Sequence, residues 1–214
     1  MKYGELIYET STDNTNTIIM EFTKKCKPFL NQVGGSCSSN FMYRGTKGTD
    51  PRTRQGACEE LIILPGSQPH RTPRNSTIEL HNALNKAFIQ LYHIPFRNGT
   101  FVNGSVTSAS IYGNVNAVIP LNEFHFLWSP DVSDLFSEFN AAKYKWSKSL
   151  SDDETIHILI DRIMAGDYEY QTTDLLEAIK SGNEIMLYCD NYFSFNPHDT
   201  AVRKALDKIS KGAI

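Results

Sequence analysis

Long apolar runs are missing from this chain: no segment reaches the ~18 apolar residues that a membrane-spanning helix needs. A surplus of positive charge is missing too. With 21 basic against 24 acidic side chains the net charge is −3, which excludes a protein held on nucleic acid by bulk charge and leaves only a local basic patch open. Cysteine is scarce. The four cysteines (Cys26, Cys37, Cys58, Cys189) form no CxxC and no Cys–His cluster, so neither a zinc site nor a disulfide framework is expected. The six histidines are scattered with no i,i+4 pair, and no metal site is expected from them either. Walker, GxSxG, HExxH and GxGxxG patterns are absent, which removes the chemistries those motifs carry. The opening MKYGELIYETSTDNTNT lacks the apolar core of a secretion signal, so the expectation is a cytoplasmic protein in a reducing compartment. The N-x-S/T sequons at Asn75, Asn98 and Asn103 then read as chance.

What is present suits one folded domain. The chain has 214 residues, 40% of them hydrophobic, and shows no repeat and no low-complexity linker, so residues 1–214 read as a single domain. Its layout is α+β, with a helical N-terminal part over about 1–35, a mixed sheet core over about 40–195 and a C-terminal helix over about 197–212. The apolar spacing of Ile18, Ile19, Phe22, Phe29 and Leu30 predicts an early helix, which Pro28 kinks or stops. Residues 40–45 form a short strand that carries Arg44. A Thr-, Gly-, Pro- and Arg-rich loop follows over 46–74, interrupted by a strand at Leu61-Ile62-Ile63-Leu64. Asn75 or Ser76 caps the clearest helix, whose face is Leu80, Leu84, Phe88 and Leu91. Tight-turn dipeptides at Asn98-Gly99 and Asn103-Gly104 bracket a strand at Thr100-Phe101-Val102. A short helix over 105–112 is followed by strands at 115–119 and 124–128. A helix opening at Ser129-Pro130-Asp131 comes next, then helices over 152–164 and 173–180. Strands 184–189 and 192–195 precede the last helix.

Three short elements stand out by their order. Tyr43-Arg44-Gly45 puts an arginine on a strand with a glycine behind it. Phe101-Val102-Asn103-Gly104-Ser105 leads into Ala109-Ser110-Ile111-Tyr112-Gly113. Glu184-Ile185-Met186-Leu187 opens a strand with a glutamate after a helix and a glycine turn. This order resembles the ADP-ribosyltransferase superfamily, whose members carry a strand arginine, a strand-borne Ser/Thr motif and a strand-opening glutamate. The resemblance spans about residues 41–195. It implies a split β-sandwich with flanking helices, NAD as the donor substrate, and mono-ADP-ribosylation of a macromolecular acceptor, protein or nucleic acid. It also implies an intracellular effector of the kind that bacteria or their viruses make.

The same resemblance assigns roles. Breaking the nicotinamide–ribose bond builds positive charge on the ribose, an oxocarbenium-like state, and Glu184 is the carboxylate that would face it. Arg44 would clamp the pyrophosphate, and Gly45 would let the backbone approach the ligand. Asn103 and Ser105 would shape the cleft, with Thr107 and Ser108 as competitors for the Ser/Thr role. Tyr112 or Phe101 would stack on the nicotinamide ring. Arginine-modifying members carry Glu or Gln two positions before the catalytic glutamate; Gly182 stands there instead, which leaves a base or another side chain as acceptor. Lys47, Arg52, Arg54, His70, Arg71 and Arg74 could steer a polyanion toward the cleft. The competing reading is a non-catalytic binding protein that uses the Phe124–Trp128 strand as an interface.

Overall fold

Burial of Ile18, Ile19 and Phe22 along one face winds α1 (Thr15–Lys25). Pro28 ends that helix as expected: the chain breaks at Cys26 and restarts as α2 (Lys27–Val33), with the proline in its first turn, where its missing N–H removes no bond. This architecture comes from a computed structural model describing residues 7–9, 15–34, 40–46, 60–69, 71–73, 76–146 and 150–212. Lys47, Arg52, Arg54, His70, Arg74, Cys37 and Cys58 lie outside the described residues, so the steering loop is represented there by Arg71 alone.

The third helix corrects the expected cap. Thr77, not Asn75 or Ser76, precedes α3 (Ile78–Tyr92), and its hydroxyl accepts from the Leu80 N–H at 3.2 Å. Leu80, Leu84, Ala87 and Phe88 are buried, whereas Leu91 is exposed rather than on the core face. A short helix α4 (Val106–Ser110) follows. The helix expected from Ser129 begins later, as α5 (Leu135–Trp146). The reason is local: the Ser129 hydroxyl accepts from the N–H groups of Asp131 and Val132, both at 3.1 Å, and holds those residues in a turn. The capping box of Ser151 and Glu154 starts α6 (Asp152–Ala165). Gly182 stops α7 (Leu175–Ser181), and Asp199 caps α8 (Thr200–Ser210).

The strands are β1 (Ile7–Glu9), β2 (Met42–Thr46), β3 (Glu60–Pro65), β4 (Thr100–Asn103), β5 (Asn114–Pro120), β6 (Phe124–Trp128), β7 (Glu184–Cys189) and β8 (Asn191–Phe195). The sequence pattern did not mark β1. The strands form one sheet in the order β1-β3-β8-β5-β2-β4-β7-β6, every neighbour antiparallel, so the α+β class holds. The mixed sheet expected over about 40–195 is corrected to an antiparallel one that also takes in β1.

One join in that sheet differs from the rest. Strand β2 pairs with β5 from Met42↔Val118 to Thr46↔Asn114, but with β4 only at Tyr43↔Asn103. Beyond that pair β2 and β4 make no further ladder pairs, and this weak join is the fork between β2 and β4. One apolar cluster lies wholly on the three-stranded part, and a larger one spans both parts. Leu80, Leu84, Phe88, Leu135, Phe139, Leu159 and Ile163 of α3, α5 and α6 pack with Leu127 and Met186 of the three-stranded part. On the larger part the Phe22 ring meets Phe193 and Phe195 edge-on, at 5.2 and 6.2 Å between centroids. Phe22 is fully buried there, as are Val202 and Leu206 of α8, while the Phe29 ring reaches Phe124 of β6 at 6.5 Å. Among the described residues no helix is long and apolar enough to cross a membrane, and no group of three His, Cys, Asp or Glu could hold a metal ion.

Candidate active site at the fork of the sheet

The apex of the fork is a row across three strands: Tyr43 pairs with Asn103, and Asn103 with Glu184. Stretches that are far apart in the chain therefore meet side by side. Directly paired residues share a sheet face and successive residues alternate. Tyr43, Asn103 and Glu184 thus leave by one face, and Arg44 by the other. On that second face the Arg44 guanidinium donates to the hydroxyl of buried Tyr192, which Thr100 of β4 also meets. The expectation that Arg44 and Glu184 converge on one cleft is corrected here: the strand alternation sends them to opposite faces of the sheet.

The guanidinium that does face the carboxylate is Arg97, which sequence reasoning missed. It sits in a 3-10 turn, Phe96–Asn98, with Nη1 3.7 Å from Glu184 Oε1. The Arg97 side chain is 7% exposed and that of Glu184 15%. Residues before α5 complete the housing. The Glu184 N–H donates to the Ser133 carbonyl at 2.8 Å, and the Leu135 N–H, in the first turn of α5, supports the carboxylate. Burial pushes the Glu184 carboxyl up to about 7. Arg97 opposes that rise, Asp134 adds to it, and Arg71 and the Leu135 N–H pull the other way.

The remaining expected residues fall around this pair with altered duties. Phe101 is half-buried, and its ring lies under two guanidiniums, Arg71 at 4.1 Å and Arg97 at 4.5 Å from its centroid. It is a support for cations, which corrects its expected role as an open platform for nicotinamide. Arg71 also donates to the Gly99 carbonyl. The Tyr112 hydroxyl donates to Asp134 at 3.1 Å, and burial together with Asp134 pushes the phenol up to about 12; its polar end is committed to Asp134 rather than presented to a ring. Ser105 caps α4, its hydroxyl accepting from the Ser108 N–H at 3.3 Å, while Thr107 is exposed. Of the three hydroxyl candidates, Ser105 is the one that fixes the chain leaving β4.

Two glycines are required for a reason other than ligand approach. A Cβ on Gly45 would stand 2.0 Å from the Ala109 carbonyl oxygen and 2.8 Å from Tyr112 Cβ, so Gly45 admits α4, not a ligand, against β2. A Cβ on Gly104 would stand 1.6 Å from the Ile179 carbonyl oxygen, so Gly104 seats the end of α7 rather than only making a turn.

Three further residues had no sequence signal beyond their type. Asp134 accepts from the Ser137 N–H at 2.6 Å as well as from Tyr112. Among the described residues the hydroxyl of Tyr170 and Nε of Arg97 are buried without a hydrogen-bond partner. An arginine in the apolar run Ile94-Pro95-Phe96-Arg97 is the one anomaly that could have been noticed. Comparison with protein-family models, curated proteins and solved structures finds no match for the chain.

Proposed function

We propose that the chain is an NAD-dependent mono-ADP-ribosyltransferase built on a split sheet. The observation that supports this reading most is the Tyr43–Asn103–Glu184 row. It gathers the arginine strand, the Ser/Thr strand and the glutamate strand at the one place where the sheet divides. A largely buried carboxylate, hydrogen-bonded by backbone and fixed before substrate arrives, suits stabilisation of a cation that exists only in the transition state.

In the reaction the bond between the nicotinamide nitrogen and ribose C1′ breaks, and nicotinamide leaves with the bonding pair. The acceptor nucleophile then bonds to C1′ and loses its proton. Glu184 faces the developing ribose cation. Arg44 leaves by the opposite sheet face, so this reading requires the donor to pass the β2–β4 join. There the guanidinium would exchange the neutral Tyr192 hydroxyl for a pyrophosphate oxygen, since charge-assisted pairing is about twice as strong. Ser105 and Gly104 keep the mouth of β4 in shape. Gly182 stands two residues before Glu184 and offers no side chain to activate an arginine, so a nucleic-acid base or another protein side chain is the acceptor; water in its place gives NAD hydrolysis.

Incubation with NAD and chromatographic detection of free nicotinamide tests the proposal. Glu184→Ala is expected to reduce release at least ~100-fold, a loss of about 3 kcal/mol of transition-state stabilisation, with the circular dichroism spectrum unchanged. No release with protein or nucleic-acid acceptors, together with no thermal shift on adding NAD, would leave the binding-protein reading instead.

A further inference from the structure

Arg97 is an expensive residue where it stands. It is 6% exposed, yet among the described residues its guanidinium makes no hydrogen bond to an oxygen. Its Nη1 is 3.9 Å from Met186 Sδ and 3.7 Å from Glu184 Oε1, and its Nε has no hydrogen-bond partner among the described residues. Buried guanidiniums kept for stability make close, forked pairs with carboxylates, and an apolar side chain of similar volume often serves a core better.

Its backbone, by contrast, is tightly fixed. The Arg97 N–H donates to Asn85 Oδ1 at 3.2 Å. The neighbouring Asn98 side chain meets His81 and Asn85, both at 3.2 Å, and donates to the Pro69 carbonyl at 3.3 Å. The side chain then runs along the Phe101 ring. The turn is held so that one loosely bonded charge stands beside one carboxylate.

We propose that Arg97 is a positioning residue that keeps the Glu184 carboxylate ionised and turned toward the fork. This deepens the reading of Glu184 as the transferase carboxylate and rests on it for its functional meaning. The charged and titratable groups that face Glu184 come from several elements, while β4 presents the uncharged Asn103. The 3-10 turn presents Arg97, the segment before α3 presents Arg71, and the residue before α5 presents Asp134. The stretch between α6 and α7 presents Tyr170, and Tyr112 follows α4. Asp134 and burial favour the protonated acid, whereas Arg97 is the largest opposing influence, ahead of Arg71. A neutral carboxyl could not shield a ribose cation, so the guanidinium decides how much of the protein is competent at neutral pH.

The test needs no substrate. In protein labelled with δ-13C glutamate, the carboxyl signal missing from Glu184→Gln identifies Glu184, and its pH titration is followed directly. Arg97→Met is expected to raise that midpoint by about one pH unit or more, and Arg97→Lys to keep it within a few tenths. Should Arg97→Met fail to fold, Arg97→Gln, which keeps a hydrogen-bonding head without the charge, is read against Arg97→Lys in the same way. A midpoint that stays put or falls in a folded neutral variant overturns the proposal. Absence of nicotinamide release from the unmodified protein overturns the transferase reading alone, because the titration stands without NAD. If NAD is turned over, the rising limb of the pH–rate profile should move with the midpoint.

Discussion

Arg44 and Arg97 stand on the two arms of the fork and are housed in opposite ways. Arg44 leaves β2 by one sheet face and gives its charge to a neutral phenol, Tyr192. Arg97 lies under β4 on the other face and points at a carboxylate that it does not quite touch, 3.7 Å away. The arms are otherwise built alike, each with a helix end seated on a glycine: the Ala109 carbonyl over Gly45 and the Ile179 carbonyl over Gly104. The difference therefore lies in the charges and not in the scaffold. An arginine bonded to a neutral hydroxyl can exchange it for an anion, whereas one kept beside a buried acid tunes that acid.

The scaffold half of the comparison carries the largest expected effect. At Gly104 an added methyl would overlap a backbone carbonyl, which no rotamer change relieves, so Gly104→Ala has to displace α7 or the start of α4. The expected loss is at least ~3 kcal/mol in urea unfolding, at the upper end for single substitutions. Gly45→Ala, with its Cβ 2.0 Å from the Ala109 oxygen, is expected to follow closely behind. Two unfolding curves indistinguishable from that of the unmodified protein would show that the arms are not clamped in this way.

These glycines also show how far the sequence reaches. Order along the chain was enough to bring forward Arg44, Ser105 and Glu184, because strand, helix and turn signals are local and their succession can be read. Face and partner are not local. Whether Arg44 meets Glu184 depends on the register Tyr43↔Asn103↔Glu184, where a slip of one residue exchanges the two faces. Arg97 reaches Glu184 only because β4 pairs with β7 and the turn ahead of β4 is bolted to α3. Gly45 and Gly104 carry the signature of turns or ligand approach, yet their requirement comes from helices that dock from elsewhere. Likewise Ser129 has the composition of a helix cap, but its hydroxyl closes a turn and the helix starts six residues on, at Leu135.

The charged half of the comparison predicts a pH dependence confined to the Arg97 arm. Glu184 has an ordinary value of 4.5 and is pushed up to about 7 in the folded protein. Between these values the folded state binds more protons than the unfolded chain, so this contribution to stability is complete below pH 4.5, falls as pH rises and is gone above 7. Relative to the unmodified protein, Glu184→Gln is expected to become more stable by roughly 2–3 kcal/mol on going from pH 4.5 to pH 8. Leaving Arg97 without its counter-charge affects both pH values equally and cancels in that difference. A stability gap independent of pH would mean that the carboxyl titrates as if exposed.

Arg44 should show none of this. Tyr192→Phe removes a phenol that Arg44 and Thr100 share, and with it the hold on the guanidinium while no ligand is present. The expected cost to the fold is about 1 kcal/mol, the net value of one such hydrogen bond. Arg44→Lys keeps the charge but loses the fork that matches a pyrophosphate, so KM for NAD should rise about tenfold while kcat holds within a factor of two or so. The Glu184 titration should be unmoved by either change, because strand alternation puts their groups on the far face. A shift of that midpoint in Arg44→Lys would join the two guanidiniums into one site. A fall in kcat with KM unchanged would move Arg44 from gripping the donor to acting on the bond that breaks.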